Sequence, residues 1–421
     1  MVRVAVVPVV LLAMLASAGA ARAASAVIPA DAAPIAVRFM GDSVVWAERA
    51  GRGELRLVRA STFGRRPRTL ATLRAPGGGA LERLRLAASR TRLAVSAHFA
   101  GQESIHRAGV PGDLRPIEPG WLDLHGNHLL TPTDDLKTLR ILDPMGGAPV
   151  DVALPAEYPM GFTSAELAGT YIGYIQSCCG RLVDWRTGRT VLTLNSGDQA
   201  WISELEADGT ALWGGSHSDS MSEIVGDGEG QLYGGLYPPQ VLRMLGRGRL
   251  AYDDSARNEI VVTDLFGGRL AASPISRSAA RATTDNPIGR FWDHGRLSDF
   301  DGARATWSSK PCLVALVTVW HVAGGPIGTG PRCPSARRAG RVRGTDLPLR
   351  CPGAVLTGCP TRLTVLRRGI RLARLRVDLA PGERRVVRLP LRGAPRRVTI
   401  VARPALHPAR AQRRVWRVVA G

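Results

Sequence analysis

Residue types that bind metal ions or transfer protons occur in short polar segments of this sequence. Asp123, His125 and His128 are close enough along the chain to act as metal ligands, and a further histidine lies in Ser216-His217-Ser218-Asp219. Gly126-Asn127, between the first two histidines, has the composition of a tight turn between strands. We therefore interpret these histidines as turn residues and assign no metal site to them.

Acidic residues form three further short groups. Asp299, Asp301 and Gly302 lack the fuller spacing of a calcium loop, which supplies oxygen ligands at alternate positions. Asp134-Asp135 and Asp253-Asp254 follow segments that we interpret as inner strands, and we expect them in loops on one face of the fold. Solvated loop carboxylates are the simpler interpretation of these two pairs.

Gly41-Asp42-Ser43 resembles the nucleophile segment of GDSL esterases. That family also needs a late Asp-x-x-His, and none of the eight histidines has an aspartate three residues before it. The segment is better explained as a hairpin turn, with Val44-Val45-Trp46 as the returning strand. The sequence contains no Gly-x-Ser-x-Gly nucleophile elbow. We predict no catalytic, cofactor-binding or metal-binding residues and no cofactor, which favours a protein that is not an enzyme.

The N-terminus has the pattern of a secretory signal peptide over residues 1–23. Arg3 is followed by an apolar run from Val4 to Ala16, which is too short to span a bilayer. Ala21-Arg22-Ala23 places small residues where signal peptidase cuts, so we expect cleavage after Ala23. The absence of an Arg-Arg pair before the apolar run favours Sec-type export. We predict a secreted or extracytoplasmic envelope protein without a transmembrane segment.

Six cysteines fit an oxidising compartment, where disulfides are favoured over metal ligands. The pairs that we expect are Cys351 with Cys359 and Cys312 with Cys333. The adjacent Cys178-Cys179 forms either a strained ring or two thiols at a turn. No two cysteines have the Cys-x2-Cys spacing of a zinc site.

Positive charge is concentrated at the C-terminal end of the chain. The formal net charge is +21, and the last 90 residues, from Arg332, contain 23 arginines against three acidic residues. The preceding sequence is therefore almost neutral. This change in composition places a domain boundary near residue 331.

A strand-turn-strand unit recurs before residue 331, and such repeats indicate a modular fold. The first copy runs from Val37 to Trp46, with Gly41-Asp42 as its turn. Each of the seven copies ends on a large or apolar anchor residue, and the anchors are Trp46, Val95, Leu130, Tyr174, Trp213, Tyr252 and Trp307. Four of the six spacings between anchors are 35 to 44 residues, which is enough for four short strands.

Most of these hairpins are followed by a third and a fourth strand. In several copies, the turn between the third and the fourth strand contains an aspartate. Asp184-Trp185-Arg186-Thr187-Gly188 and Asp264-Leu265-Phe266-Gly267-Gly268 are the clearest turns. They resemble the WD40-like and TolB-like β-propeller families over roughly residues 30 to 330, and the resemblance implies the propeller fold but no activity. The seven copies predict an all-β, seven-bladed β-propeller over residues 24–331. Because closing a ring buries both end faces, we expect Ala26-Val27-Ile28 to be the outer strand of the last blade. An open β-sandwich or two smaller β-domains are the alternatives.

After a linker over residues 332–344, the basic module over residues 345–421 alternates apolar residues with arginine. Arg362-Leu363-Thr364-Val365 and Arg397-Val398-Thr399-Ile400-Val401 show this period of two, which is typical of half-buried strands. About six such strands predict a small β-sandwich domain. The segment from Cys351-Pro352 to Gly358-Cys359 resembles C-terminal modules of secreted actinobacterial proteins.

The basic module has three interpretations: solvated arginines on a sandwich, attachment to an anionic envelope polysaccharide or other anionic polymer, and nucleic-acid binding. The third is disfavoured because the module has no Tyr or Phe and only Trp416 for base stacking. We predict an exported, monomeric, non-enzymatic binding platform whose partner is an unknown protein or an envelope polymer. The alternative is a hydrolase or lyase with a site in the central channel of the propeller.

Overall fold

The computed structural model describes residues 25–64, 66–75, 77–154, 162–176, 179–195, 199–217, 220–226, 232–236, 244–275, 279, 283–285, 291–293, 296–310, 315–327, 335–341, 345–352, 358–391, 397–404 and 414–418. The predicted signal peptide, residues 1–23, lies outside these ranges, as do Cys312 and Cys333. Within them, no helix has the length and the apolar character needed to cross a membrane.

Short antiparallel strands form almost all of the described chain before residue 327. After β1 (Ala26–Ala30), six four-stranded sheets are each built from four consecutive strands. The first three sheets contain β2 (Pro34–Met40), β3 (Ser43–Gly51), β4 (Glu54–Ser61) and β5 (Arg68–Arg74); β6 (Leu81–Ala88), β7 (Leu93–Phe99), β8 (Ile105–Val110) and β9 (Asp113–Pro116); and β10 (Asp123–His125), β11 (His128–Pro132), β12 (Thr138–Leu142) and β13 (Val150–Ala153). The next three contain β14 (Phe162–Ala168), β15 (Tyr171–Gln176), β16 (Cys179–Asp184) and β17 (Arg189–Asn195); β18 (Gln199–Leu205), β19 (Ala211–His217), β20 (Ser220–Gly226) and β21 (Leu232–Leu236); and β22 (Met244–Gly246), β23 (Arg249–Asp254), β24 (Glu259–Asp264) and β25 (Arg269–Pro274).

A seventh four-stranded sheet joins the start of this region to its end. A separate hairpin precedes it and consists of β26 (Thr283–Asp285) and β27 (Phe291–Asp293). The sheet itself contains β28 (Asp299–Phe300), β29 (Arg304–Ser309) and β30 (Ala315–His321). A single 3₁₀ turn (Val322–Gly324) follows β30. β1 is the fourth strand and pairs antiparallel with β30, with Ile28 opposite Val317. Both side chains are buried. This pairing confirms the outer strand predicted at Ala26-Val27-Ile28.

The seven sheets are arranged in a closed ring. Their inner strands contact one another in the order β2, β6, β10, β14, β18, β22, β28 and then β2 again. An open sandwich would leave β2 and β28 apart, so the cyclic order excludes that alternative for the described part of the chain. The all-β propeller fold is therefore confirmed.

The anchor residues predicted from the repeat lie on the second strand of each sheet. Six of them are buried in the core, and these are Trp46, Val95, Leu130, Tyr174, Trp213 and Trp307. Tyr252 also lies on the second strand of its sheet but is half-buried, because its neighbour Ala251 faces the core opposite Met244. Since strand side chains alternate between two faces, residue type alone did not reveal the inward position in this sheet.

Both aspartate turns form between third and fourth strands as predicted. Asp184 Oδ1 accepts the N–H of Arg186 at 2.9 Å. Asp264 Oδ1 accepts the N–H groups of Phe266 and Gly268 at 2.9 and 2.7 Å. A short side chain that accepts backbone N–H groups two or more residues ahead stabilises the tight turn locally, which explains the aspartate at these positions.

Two further sheets form a unit after residue 335, which we call the C-terminal unit. Its three-stranded sheet has the order β31 (Arg337–Arg338), β32 (Asp346–Arg350) and β35 (Arg384–Arg388), and its four-stranded sheet has the order β34 (Ile370–Leu379), β33 (Cys359–Arg367), β36 (Val398–Pro404) and β37 (Arg414–Val418). One apolar core contains residues of both sheets, including Leu347 and Leu363. Ala336 joins this core, so the end of the predicted linker belongs to the C-terminal unit.

A disulfide joins Cys351 to Cys359, as predicted, with 5.6 Å between the two Cα atoms. Both cysteines are part of the core of the C-terminal unit. Cys179 begins β16 and is buried, whereas Cys178 lies outside the described residues.

Candidate functional site

Charged side chains from different sheets converge inside the ring. They come from the inner strands, and we call them the channel cluster: Arg38, Arg85, Asp123, Glu166, Glu204 and Asp299. All six are half-buried. Electrostatic interactions connect Glu166 with Asp123 and Glu204, and Glu204 in turn with Asp299 and Arg38. Residues up to about 260 positions apart in sequence thus form one network.

Two aspartates of the channel cluster connect neighbouring sheets. Asp123 accepts the N–H of the next residue on its own strand at 2.7 Å and the N–H of Leu167 on β14 at 2.8 Å. Asp299 accepts the N–H of the next residue at 2.9 Å and the N–H of Phe39 on β2 at 2.6 Å. Each carboxylate therefore joins two adjacent inner strands through a charge-assisted hydrogen bond.

The two glutamates of the channel cluster are shifted towards their neutral form. Burial, followed by the negative charge of Asp299, raises the pKa of Glu204 to about 8, and Arg38 acts in the opposite direction. Burial and the charge of Asp123 raise the pKa of Glu166 well above its usual range, and these two side chains are hydrogen-bonded. A hydrogen bond between two carboxyl groups needs a proton, and the raised pKa makes Glu166 the donor.

The arginines of the channel cluster also bind the protein itself. Arg38 Nη1 donates to the Ser298 carbonyl at 2.7 Å, and Arg85 Nη1 donates to the Trp121 carbonyl at 2.5 Å. The Arg85 guanidinium lies 4.4 Å from the centroid of the Trp121 ring. Among the described residues, no group of three or more His, Cys, Asp or Glu side chains is placed to hold a metal ion. The hydrogen bonds of Arg38, Arg85, Asp123 and Asp299 thus connect neighbouring sheets inside the ring.

We did not predict Arg38, Arg85, Glu166 and Glu204 as site residues, although the sequence carries a signal for Arg38 and Glu166. Four members of the channel cluster each precede a turn glycine with positive φ by three residues, and the pairs are Arg38–Gly41, Asp123–Gly126, Glu166–Gly169 and Asp299–Gly302. A charge at a fixed distance before each hairpin turn indicates a shared position on the inner strands.

A polar cleft of about 480 Å³ lies beside β6, β7 and β8. Ser104 Oγ is 2.9 Å from His98 Nδ1, and His98 Nε2 is 3.2 Å from the Glu82 carboxylate. When His98 donates its Nε2–H to Glu82, its Nδ1 accepts the hydroxyl proton of Ser104. Serine, base and orienting carboxylate in this order are the parts of an activated nucleophile.

The same cleft contains a second serine–histidine pair. Ser96 Oγ is 2.9 Å from His106 Nδ1, and burial lowers the pKa of His106. Ser96 lies opposite His106 across β7 and β8, and Trp121 forms part of the cleft wall. These residues did not stand out in the sequence because their pairing depends on strand register.

The predicted turn histidines lie where the sequence placed them. His125 and His128 face each other across the β10–β11 turn, where Gly126 has φ 58°. Burial lowers the pKa of His125, and His128 contacts Trp185 edge-on with 5.9 Å between ring centroids. The side chain of His217 lies outside the described part of the structure.

The Asp134-Asp135 and Asp253-Asp254 groups both lie where the second strand of a sheet leads into the third, between β11 and β12 and at the end of β23. Asp135 accepts the Thr133 hydroxyl at 2.6 Å in an exposed turn, and this bond lowers the pKa of Asp135. The loop prediction is wrong for Asp253. This residue is buried on β23, and its carboxylate lies 2.6 Å from Arg296 Nη2. Burial within a second strand rules out a solvated loop role for Asp253.

The remaining motifs are turns. Gly41-Asp42 forms the hairpin turn between β2 and β3, with Met40 opposite Ser43, as predicted. Asp301 Oδ1 accepts the N–H of Arg304 at 2.7 Å in the β28–β29 turn. Both segments therefore have a structural explanation.

Arginines face each other directly across the strands of the C-terminal unit. The rows are Arg376–Arg362–Arg403 in the four-stranded sheet and Arg337–Arg350–Arg384 in the three-stranded sheet. Side chains directly opposite on adjacent strands are about 5 Å apart, and like charges at that distance destabilise a sheet. The repulsion in each row would be relieved by a bound anion.

No protein-family model matches the sequence, and no curated protein is significantly similar to it. BamB from Moraxella catarrhalis is similar in structure at 16% identity, over 68% of this chain and 84% of that chain, with a TM-score of 0.36. The β-propeller domain of Cps50 (Swd1) from Myceliophteria thermophila is similar at 12% identity, over 71% and 98%, with a TM-score of 0.43. A prolyl endopeptidase is similar at 14% identity, over 88% and 54%, with a TM-score of 0.48, so the chain spans about half of its length. At TM-scores this low, the propeller assignment rests on the strand order and the cyclic contacts.

Proposed function

We propose that this protein is an exported, non-enzymatic binding platform that attaches to an anionic polymer of the cell envelope through its C-terminal unit. The observation that carries the proposal is the pair of arginine rows across its two sheets. Solvated arginines without a ligand would be expected to avoid positions directly opposite one another, because such neighbours repel.

The charge distribution supports the same conclusion. The net excess of positive charge lies after Arg332, and the region before it is close to neutral. The positive electrostatic potential of the C-terminal unit attracts extended polyanions, and the rest of the protein then faces away from them. The propeller is then presented to other partners, and its internally bonded channel cluster supports the role of a rigid scaffold.

The proposal is tested by binding of the mature chain to purified cell envelope. We expect retention at low salt and release at about 0.5 M salt, where charges separated by more than a few ångströms are screened. A shortened chain that ends at Gly330 serves as the control, after its cooperative unfolding has been checked. Equal retention of that control would contradict the role given to the C-terminal unit.

A second candidate function is ester hydrolysis at the cleft beside β6, β7 and β8, favoured by the Ser104–His98–Glu82 contacts. Ser104 Oγ would attack the acyl carbon while its proton passes to His98 Nδ1, and the alcohol would leave with that proton. Water would then release the acid and restore the serine.

This candidate is tested with a fluorophosphonate probe and p-nitrophenyl acetate. If it is correct, Ser104→Ala abolishes labelling and turnover. Ser96→Ala is the matched control, because the Ser96 hydroxyl contacts His106 in the same cleft. Labelling that survives Ser104→Ala would exclude the hydrolase.

A further inference from the structure

Three arginines surround one threonine on the outer face of the four-stranded sheet of the C-terminal unit. Arg362 and Thr364 lie on β33, Arg374 lies opposite Thr364 on β34, and Arg403 lies opposite Arg362 on β36. Together with Leu366 they line a depression of about 260 Å³, which we call the arginine pocket. Its polar side chains thus come from three adjacent strands.

The arginine pocket carries uncompensated positive charge. Arg376, the neighbour of Arg362 in the row, has its Nε 3.2 Å from the Asp378 carboxylate. Within the described residues, Arg362, Arg374 and Arg403 form no ion pair. Three guanidinium groups around one depression repel one another, so an anion bound there would stabilise the folded chain.

The geometry of the donors distinguishes between kinds of anion. A planar carboxylate presents two oxygens, and the fork of one arginine can satisfy both. Donors that approach from three strands, with a hydroxyl between them, match an anion whose oxygens point in several directions. A tetrahedral phosphate group has that shape, and arginine binds phosphate through paired hydrogen bonds.

We propose that the arginine pocket binds a phosphate group of a phosphate-bearing envelope polymer. This inference rests on the proposed function and specifies its ligand class. The pocket recognises one phosphate group, and the remaining arginines of the unit attract neighbouring groups of the same polymer less specifically.

The experiment compares two double variants of the full mature chain that lose the same charge. Arg362→Gln/Arg403→Gln removes two arms of the arginine pocket, whereas Arg337→Gln/Arg384→Gln removes two arginines of the other sheet. Binding to long-chain polyphosphate is measured by calorimetry, with poly-L-glutamate and single-stranded DNA of equal total charge as comparison ligands. Thermal unfolding of each variant confirms that the fold is intact.

We expect the pocket variant to bind polyphosphate about tenfold or more weakly, the loss expected for a charge-assisted hydrogen bond, and the control variant to lose no more than about threefold. The unmodified chain should prefer polyphosphate to both comparison ligands, and the pocket variant should lose that preference. Equal losses in both variants, or a preference for single-stranded DNA or poly-L-glutamate, would overturn the inference.

Binding to purified envelope separates this inference from the proposed function. If both double variants lose envelope binding equally, general attachment stands and the arginine pocket is refuted. If the unmodified chain binds polyphosphate through the pocket but is not retained on envelope, the proposed attachment fails, and only phosphate binding by the arginine pocket stands.

Discussion

The Asp299 carboxylate accepts the backbone N–H of Phe39 at 2.6 Å, across 260 residues of sequence. Asp299 lies in the seventh sheet and Phe39 in the first, so this hydrogen bond joins the two ends of the ring. Asp123 makes the equivalent bond to Leu167 between the third and fourth sheets. The same local solution therefore connects inner strands at two places.

Removal of the Asp299 carboxylate should weaken ring closure. Asp299→Ala leaves the buried N–H of Phe39 without its acceptor, and we expect a loss of roughly 1.5–3 kcal/mol in the free energy of unfolding. Urea denaturation measures the loss. Asp113→Ala is the control, because its carboxylate faces the exposed Arg115 and should contribute less than about 1 kcal/mol. Equal effects of the two substitutions would show that Asp299 does not hold the ring.

Glu204 should make the protein less stable as the pH rises. The pKa of its carboxyl is raised from 4.5 to about 8 by folding, so between these values the folded state keeps a proton that the unfolded state loses. Its stabilising contribution is complete below about pH 4.5 and is lost as the pH rises to about 8. Glu204→Gln should remove this slope and, at higher pH, stabilise the chain by on the order of 2 kcal/mol, since channel solvent screens part of the effect.

Unfolding free energies measured from about pH 5 to 8 test this expectation. Glu103→Gln is the control, because Glu103 is exposed in the β7–β8 loop and should leave the slope unchanged. An unchanged slope in Glu204→Gln would show that Glu204 is ionised throughout this range.

The buried pair Asp253–Arg296 should be strongly coupled. Arg296 donates to Asp253 from Nε at 3.0 Å and from Nη2 at 2.6 Å, and both residues are buried. Asp253→Leu leaves a buried guanidinium without its partner and should cost about 3–5 kcal/mol. The double variant Asp253→Leu/Arg296→Met removes both charges and should recover most of that loss. A double variant as unstable as the single one would refute the coupling, and thermal unfolding decides between the two results.

Loss of the Cys351–Cys359 disulfide should affect the C-terminal unit alone. It closes a short loop with a sequence separation of 8, for which chain entropy gives a stabilisation of roughly 2–3 kcal/mol. Cys351→Ser/Cys359→Ser should therefore raise amide hydrogen exchange at Leu363 and Val365 in the core of that unit. Exchange in the sheets of the ring should stay unchanged. Faster exchange at Val44 and Val317 as well would show that the two regions unfold together.

The strand order of the ring could be predicted because each hairpin carries its own signal. Turn residues and buried anchors such as Trp46 and Trp213 recur at regular distances, and local hydrogen bonds at Asp184 and Asp264 fix the turns. The sequence gives a weaker signal for which face of a strand points into the core. In β23 Ala251 is buried and Tyr252 is half-buried, because both faces of this strand carry side chains that can be buried.

The contacts within the candidate sites could not be predicted, because each depends on how strands pair or pack against one another. Glu166 meets Asp123 only after two sheets are placed side by side. Arg362 lies opposite other arginines only because β33 pairs with β34 and β36 in one particular register. Alternating arginines in a sequence show that they share one face of a strand. Which arginines lie opposite one another depends on the register between neighbouring strands.

The pairing of β1 with β30 also has a consequence for biosynthesis. Ala30 pairs with Ala315, so β1 is synthesised long before its partner strand β30. At about 5–20 residues per second, that delay is roughly 15–60 s. During this time β1 exposes unpaired backbone groups, which are prone to aggregate. The ring can therefore close only after synthesis has passed residue 321, the end of β30.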